Sequence, residues 1–279
     1  MQWALNAQKN GIKNVWSMIL PNQDFESGLH EFRSFLEIAD IIENYRNVRF
    51  LDKLNAEEQQ ELTERIARNN GLIHLDVHPY YFDYDSENPE RAKKPEKNGE
   101  RYDAIKQALE LDFKKTDLSP PRFIIEEKEH IIETSKTIDQ NNRNSNNKVY
   151  IIPSHWGNPE PDFSDNATTD HYREVGTQEE LQNWLKLVSV FRGLGVKTVV
   201  IGGTTLEVVD EINIDIGAKA YKQQRINRGA KNVDYSLKGC AGGAAYYLSA
   251  AGFDVQISDK AFPDSISEID RLEQRDKIS

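Results

Sequence analysis

Lys238-Gly239-Cys240-Ala241-Gly242-Gly243-Ala244-Ala245-Tyr246-Tyr247-Leu248-Ser249-Ala250-Ala251-Gly252-Phe253-Asp254-Val255-Gln256-Ile257-Ser258-Asp259 reads as a turn, a helix of small residues, a second turn and a strand. Upstream, Lys197-Thr198-Val199-Val200-Ile201-Gly202-Gly203 is a short apolar run ending in two glycines, the pattern of a buried strand. Cys240 is the only cysteine, and the reading places its thiol at a helix N-terminus. Unpaired backbone N–H groups and the positive end of the helix dipole favour a thiolate there. A core role, as a small apolar side chain, is the alternative reading of the same residue.

Working outward, short apolar runs at 14–20, 72–77, 122–127, 149–153, 197–202 and 254–258 predict strands. Between them lie helical patterns. Apolar positions at 29, 32, 35, 36, 39 and 42 recur at helical spacing; Asn55 with Glu58 forms a capping-box signature ahead of Leu62 and Ile66, with Asn70-Gly71 as the stop. Thr177 and Glu180 open another helix carrying Leu181, Trp184, Leu185, Val188 and Phe191, and a polar helix is expected from about 265. Strand and helix alternate, which predicts a three-layer α/β core of about five to seven mostly parallel strands with helices on both faces. Residues 1–279 read as a single α/β domain with polar insertions near 83–120, 139–148 and 205–237.

Composition narrows the function classes. The 279 residues carry 46 acidic against 35 basic side chains, a net charge of −11, which argues against a general binder of nucleic acid or anionic membrane. One cysteine rules out an internal disulfide framework and suits a reducing compartment. With no apolar leader in Met1–Lys9 and no apolar run of about 18 residues, a cytoplasmic protein acting on a small molecule is expected. A homo-oligomer is compatible with all of this.

Three further features could carry chemistry. In Ile73-His74-Leu75-Asp76-Val77-His78-Pro79 an extended strand would put residues 74, 76 and 78 on one face, so that Asp76 and His78 could reach one zinc-like divalent metal. His155, just beyond the 149–153 strand, is the third ligand in that reading. Lys128 follows the 122–127 strand among Glu126, Glu127 and Glu129. Beside a thiol it would lower the cysteine pKa, whereas alone the run reads as solvated charge.

The order of elements resembles the isochorismatase-like cysteine hydrolases, which include nicotinamidases. Ile19-Leu20-Pro21-Asn22-Gln23-Asp24-Phe25-Glu26-Ser27-Gly28 is similar to that superfamily's Asp-x-Gln-x-x-Phe motif, and Asp76-Val77-His78-Pro79 resembles the nicotinamidase metal motif Asp-Trp-His-Pro. Cys240, Ala244-Ala245, Gly252-Phe253 and Asp259 keep the spacing of the nucleophile segment. The resemblance implies a hydrolase of a small-molecule amide or related C–N bond. Cys240 would attack, Lys128 would stabilise the thiolate, and Asp24 would be the base, since Leu20 stands where the family aspartate is expected. It also implies a metal at Asp76 and His78. Two other readings compete: a metal-dependent hydrolase using His74, Asp76, His78 and His155 with Cys240 as packing, and a non-catalytic binding protein on the same fold.

Overall fold

The computed structural model describes residues 44–79, 119–126, 131–141, 147–152, 185–203, 206–212 and 216–274. The expected 14–20 strand and the helix over 27–45, save its last two residues, lie outside them. In chain order the elements are β1 (Val48–Phe50), α1 (Ala56–Arg68), β2 (Leu72–Val77), β3 (Arg122–Ile125), α2 (Ile131–Asn141), β4 (Val149–Ile152), α3 (Leu185–Gly193) and β5 (Thr198–Gly203). There follow β6 (Glu207–Val209), α4 (Ile216–Asn227), β7 (Ser236–Lys238), α5 (Gly239–Ala250), β8 (Asp254–Ile257) and α6 (Pro263–Gln274).

Six strands form one sheet in the order β1-β4-β3-β2-β5-β8, and every neighbouring pair is parallel. Alternation along the strands divides the core in two. Phe123 and Ile125 join Ile73, Leu75, Val77, Val199, Ile201 and Val255 on one face, which also takes Leu62 and Ile66 of α1 and Phe191 of α3. Ile124 points the other way and packs with Val48, Phe50, Val149 and Ile151 against Ile131 and Ile138 of α2. Helices therefore cover both faces, and the three-layer α/β core with a parallel sheet is as expected.

Local signals explain the elements that were legible. α1 begins with the anticipated capping box: the Asn55 side chain accepts from the Glu58 backbone N–H, and the Glu58 carboxylate accepts from the Asn55 N–H. The 205–237 stretch is not featureless. It holds β6 and β7, paired antiparallel, and α4, which packs along α5. That contact is close because Gly217 has no side chain; a Cβ there would lie 2.7 Å from Tyr246 Cβ and 2.8 Å from its carbonyl oxygen. A buried cluster ties this region to α6: Arg225 donates from Nε and Nη2 to the two Glu273 carboxylate oxygens at 2.7 and 2.8 Å, and Tyr235 donates to the same carboxylate at 2.6 Å.

Candidate functional site

In an open parallel sheet, ligands bind beyond the carboxyl ends of the strands where the strand order reverses. Here β2 is followed by β3 on one side, while β5 flanks β2 on the other, so the reversal lies between β2 and β5. The carboxyl edge at that point is made by Asp76, Val77, His78 and Pro79 from β2, Gly202 and Gly203 from β5, and Glu126 just past β3. The fit between β2 and β5 is tight. Gly203 takes φ 133, and a Cβ there would run into the Val77 carbonyl, so only glycine suits the position.

Cys240 comes to the same edge by topology. α5 lies against β2, β5 and β8 and ends at Ala250, with only three residues between it and the start of β8. Its C-terminus is therefore at the amino edge of the sheet. Its 12 residues, at about 1.5 Å each, carry its N-terminus back toward the carboxyl edge. Gly239 takes φ 84 just ahead of the thiol, and Cys240 is half-buried, with part of its surface on the apolar core. The expected position at the start of a helix is observed.

The Asp76–His78 pair is where the structure departs from expectation. Both residues do lie at the carboxyl end of a central strand, and both are buried. The strand stops at Val77, however, and His78 has φ 47, in the left-handed region, immediately before Pro79. The chain is no longer extended at 78, so His78 does not continue the row of His74 and Asp76. Asp76 is engaged elsewhere: Arg122 at the start of β3 brings its Nε to 3.4 Å from Asp76 Oδ2, with both side chains about nine-tenths buried. Among the described residues, no group of three or more His, Cys, Asp or Glu side chains could hold a metal ion. The metal site expected at Asp76 and His78, and with it the zinc-like cofactor, is corrected on these grounds. His155, the third expected ligand, lies outside the described residues, as do Lys128 and Asp24.

Two site residues went unrecognised as such in the sequence. Arg122 opens an apolar strand, and nothing local marks it as a partner of Asp76, since the pairing depends on β2 and β3 being neighbours. Glu126 belonged to a run read as solvated charge, yet it is 0% exposed. Its carboxylate accepts from Thr134 Oγ1 of α2 at 3.1 Å. The signal that could have found it is the spacing of Ile131, Thr134, Ser135 and Ile138, all buried, which is one helix face carrying two hydroxyl residues toward the sheet. At the far end of the same edge, just past β1, burial pushes the Asp52 carboxyl up, against the opposing pull of cations that include Lys186 and Lys53.

No protein family, characterised protein or solved structure matches the chain. The isochorismatase-like signature, with its cysteine-nucleophile motif, is thereby corrected to a generic α/β pattern. The reason is visible at Gly252. With φ 86 it closes α5 through bonds from the Gly252 and Phe253 N–H groups to the Ser249 and Leu248 carbonyls, a glycine helix stop that any helix-to-strand connection can use. The length of a crossover helix is thus enough to set the spacing from Cys240 to Gly252-Phe253. Parallel α/β sheets support many reactions, so the fold is compatible with an enzyme and names none. Among the described residues no helix is long and apolar enough to cross a membrane.

Proposed function

We propose that the protein hydrolyses a small-molecule amide or related C–N bond at the carboxyl edge between β2 and β5. In this reading the Cys240 sulfur attacks the carbonyl carbon. Asp24, the base that the family resemblance implies, takes the thiol proton and passes it to the leaving amine as the C–N bond breaks. Water then cleaves the thioester, releasing the acid and restoring the thiol. Backbone N–H groups in the first turn of α5 are oriented to stabilise the oxyanion. The observation that carries the reading is topological: the crossover through α5 brings the one thiol toward the carboxyl edge of the sheet, beside the reversal of strand order.

The test is ammonia release from a panel of small primary amides by the wild type and by Cys240→Ala. Turnover of at least one amide that vanishes in a folded Cys240→Ala protein is expected. Undiminished turnover in that variant would refute the assignment, and so would a folded wild type that neither turns over any amide nor reacts at Cys240 with iodoacetamide. The second reading, a non-catalytic small-molecule binder on the same scaffold, draws on the packing of Cys240 against the apolar core. It is the reading left standing in that last case.

A further inference from the structure

We propose that the solvent face of α4 docks a second copy of this chain, the two helices lying antiparallel across a two-fold axis. Among the described residues the large apolar side chains left exposed are Ile212, Ile216 and Ile226, each at least half exposed. Scattered singly such residues are ordinary, but these fall in one short stretch. Ile216 and Ile226 are the ends of a row. Ile216, Lys219, Gln223 and Ile226 are all exposed, at spacings of three, four and three residues, whereas Gly217, Ala218 and Tyr221 are buried on the other side of the helix. That alternation is the spacing of a coiled-coil seam. The helix is fixed from behind. The Gln224 side chain donates to the Phe253 carbonyl at 2.7 Å and accepts from the Val255 N–H at 2.9 Å, and Arg228 donates to the Val255 carbonyl at 2.7 Å. β8 is an edge strand, so these bonds occupy the outward backbone groups with which another strand would pair. Extension of the sheet by a second copy is blocked over that stretch, and the surface offered instead is the far side of α4. A face held this firmly loses little freedom on binding.

The order of side chains in the row selects the partner. In either direction it runs isoleucine, polar, polar, isoleucine. An antiparallel copy centred on position 221 therefore sets Ile216 against the second copy's Ile226, and Lys219 against the second copy's Gln223. Gln223 gives its amide N–H to Asn227, which leaves its amide oxygen to accept from the lysine. Cation thus meets acceptor within the seam, and a single lysine there fixes the register at some cost in stability. A same-face contact of this kind is the commonest way identical chains associate, and it closes at two copies. The contact is small: the 12 residues of α4 span roughly 18 Å. One pair of such helices falls short of the roughly 1,200 Å² of a stable interface and belongs with the weak ones. Charge opposes it as well, since each copy carries a net −11 and Lys222 of both copies flanks the axis. Salt that screens these charges should strengthen the dimer.

Sedimentation velocity of the full chain, from about 1 µM to about 1 mM and at low and high salt, tests this over the range of weak affinities. The wild type should pass from monomer to dimer as concentration rises, at lower concentration in high salt. Ile216→Glu and Ile226→Glu, at exposed positions where circular dichroism should show an intact fold, should each weaken the dimer at least tenfold. Gln223→Glu places a carboxylate against Lys219 of the second copy at two symmetry-related points. It should tighten the dimer by about two- to tenfold, the scale of two exposed ion pairs. The exchange Lys219→Glu with Gln223→Lys should retain that gain. A wild type that stays monomeric throughout overturns the proposal, including the case in which this face binds only an added acidic peptide or anionic vesicles. A dimer that survives Ile226→Glu overturns it too, because the contact then lies elsewhere. A dimer weakened by Gln223→Glu refutes the antiparallel pairing, since a face made for an acidic partner would respond in that sense.

Discussion

Glu273→Ala removes the centre of the cluster that fastens α6 to α4 and to the chain before β7. Glu273 receives two hydrogen bonds from Arg225 and one from the Tyr235 hydroxyl, at 2.6 to 2.8 Å. Its own side chain is 8% exposed and that of Arg225 is 21% exposed. Removing one member of a buried ion pair typically costs about 3–5 kcal/mol, because the remaining charge is left without a partner. Arg225 keeps some access to water, which discounts that figure, while the buried Tyr235 hydroxyl loses its acceptor, which adds about 1 kcal/mol or more. The two corrections roughly cancel, and a loss of about 3 kcal/mol is expected. Equilibrium urea unfolding measures it: with a slope of about 3 kcal/mol per molar, the midpoint should fall by about 1 M at unchanged slope. Glu273→Gln keeps acceptor capacity without the charge and should fall between wild type and Ala. A loss in Glu273→Ala below about 0.5 kcal/mol, the range of surface substitutions, would refute the reasoning.

Two other outcomes follow from the core. Burial is the main cause that pushes the Tyr221 and Tyr150 hydroxyls up from 10.0 to about 12. An unfolded tyrosine ionises near 10 while these two hold their protons to about 12, so their contribution is complete below pH 10 and is lost as pH rises toward 12. The loss is roughly 2 kcal/mol for each; melting temperatures across that window check it, and a flat profile counts against it. Gly217→Ala should destabilise by about 1–3 kcal/mol despite the better helix propensity of alanine, because the clash is with the backbone of Tyr246, which cannot rotate away. Stabilisation of Gly217→Ala in chemical denaturation would contradict this account of the α4–α5 contact.

Legibility tracked the range of the forces involved. The strands at 122–125 and 149–152, buried along their whole length, and those at 72–77 and 198–203, buried at most positions, stood out as short apolar runs, while 254–257 alternates buried Val255 and Ile257 with the more exposed Asp254 and Gln256. The start of α1 was equally plain, since a capping box is a bond between residues three apart. β1 was missed because three residues are too few to show a period, and α2 because Thr134 and Ser135 sit where apolar residues were sought. The metal site failed for a different reason. Same-face spacing at 74, 76 and 78 assumes an extended chain, and the left-handed turn at His78 ends it.

The chain by itself therefore determined the class of fold, the extent of its central strands, and the place of Cys240 at a helix start. Those properties are written in periodicity and in contacts within a turn of helix or a stretch of strand. Only the tertiary structure decided that β2 lies between β3 and β5, and so that Asp76 meets Arg122 on one side and Gly202 on the other. Arg122 and Gly202 are far from Asp76 in the chain, and no local pattern encodes which strands become neighbours. The choice rests on the summed burial of both faces of the sheet. The environment of a charged group, which decides whether it binds a metal, holds a proton or stays an anion, is settled only when that burial is complete.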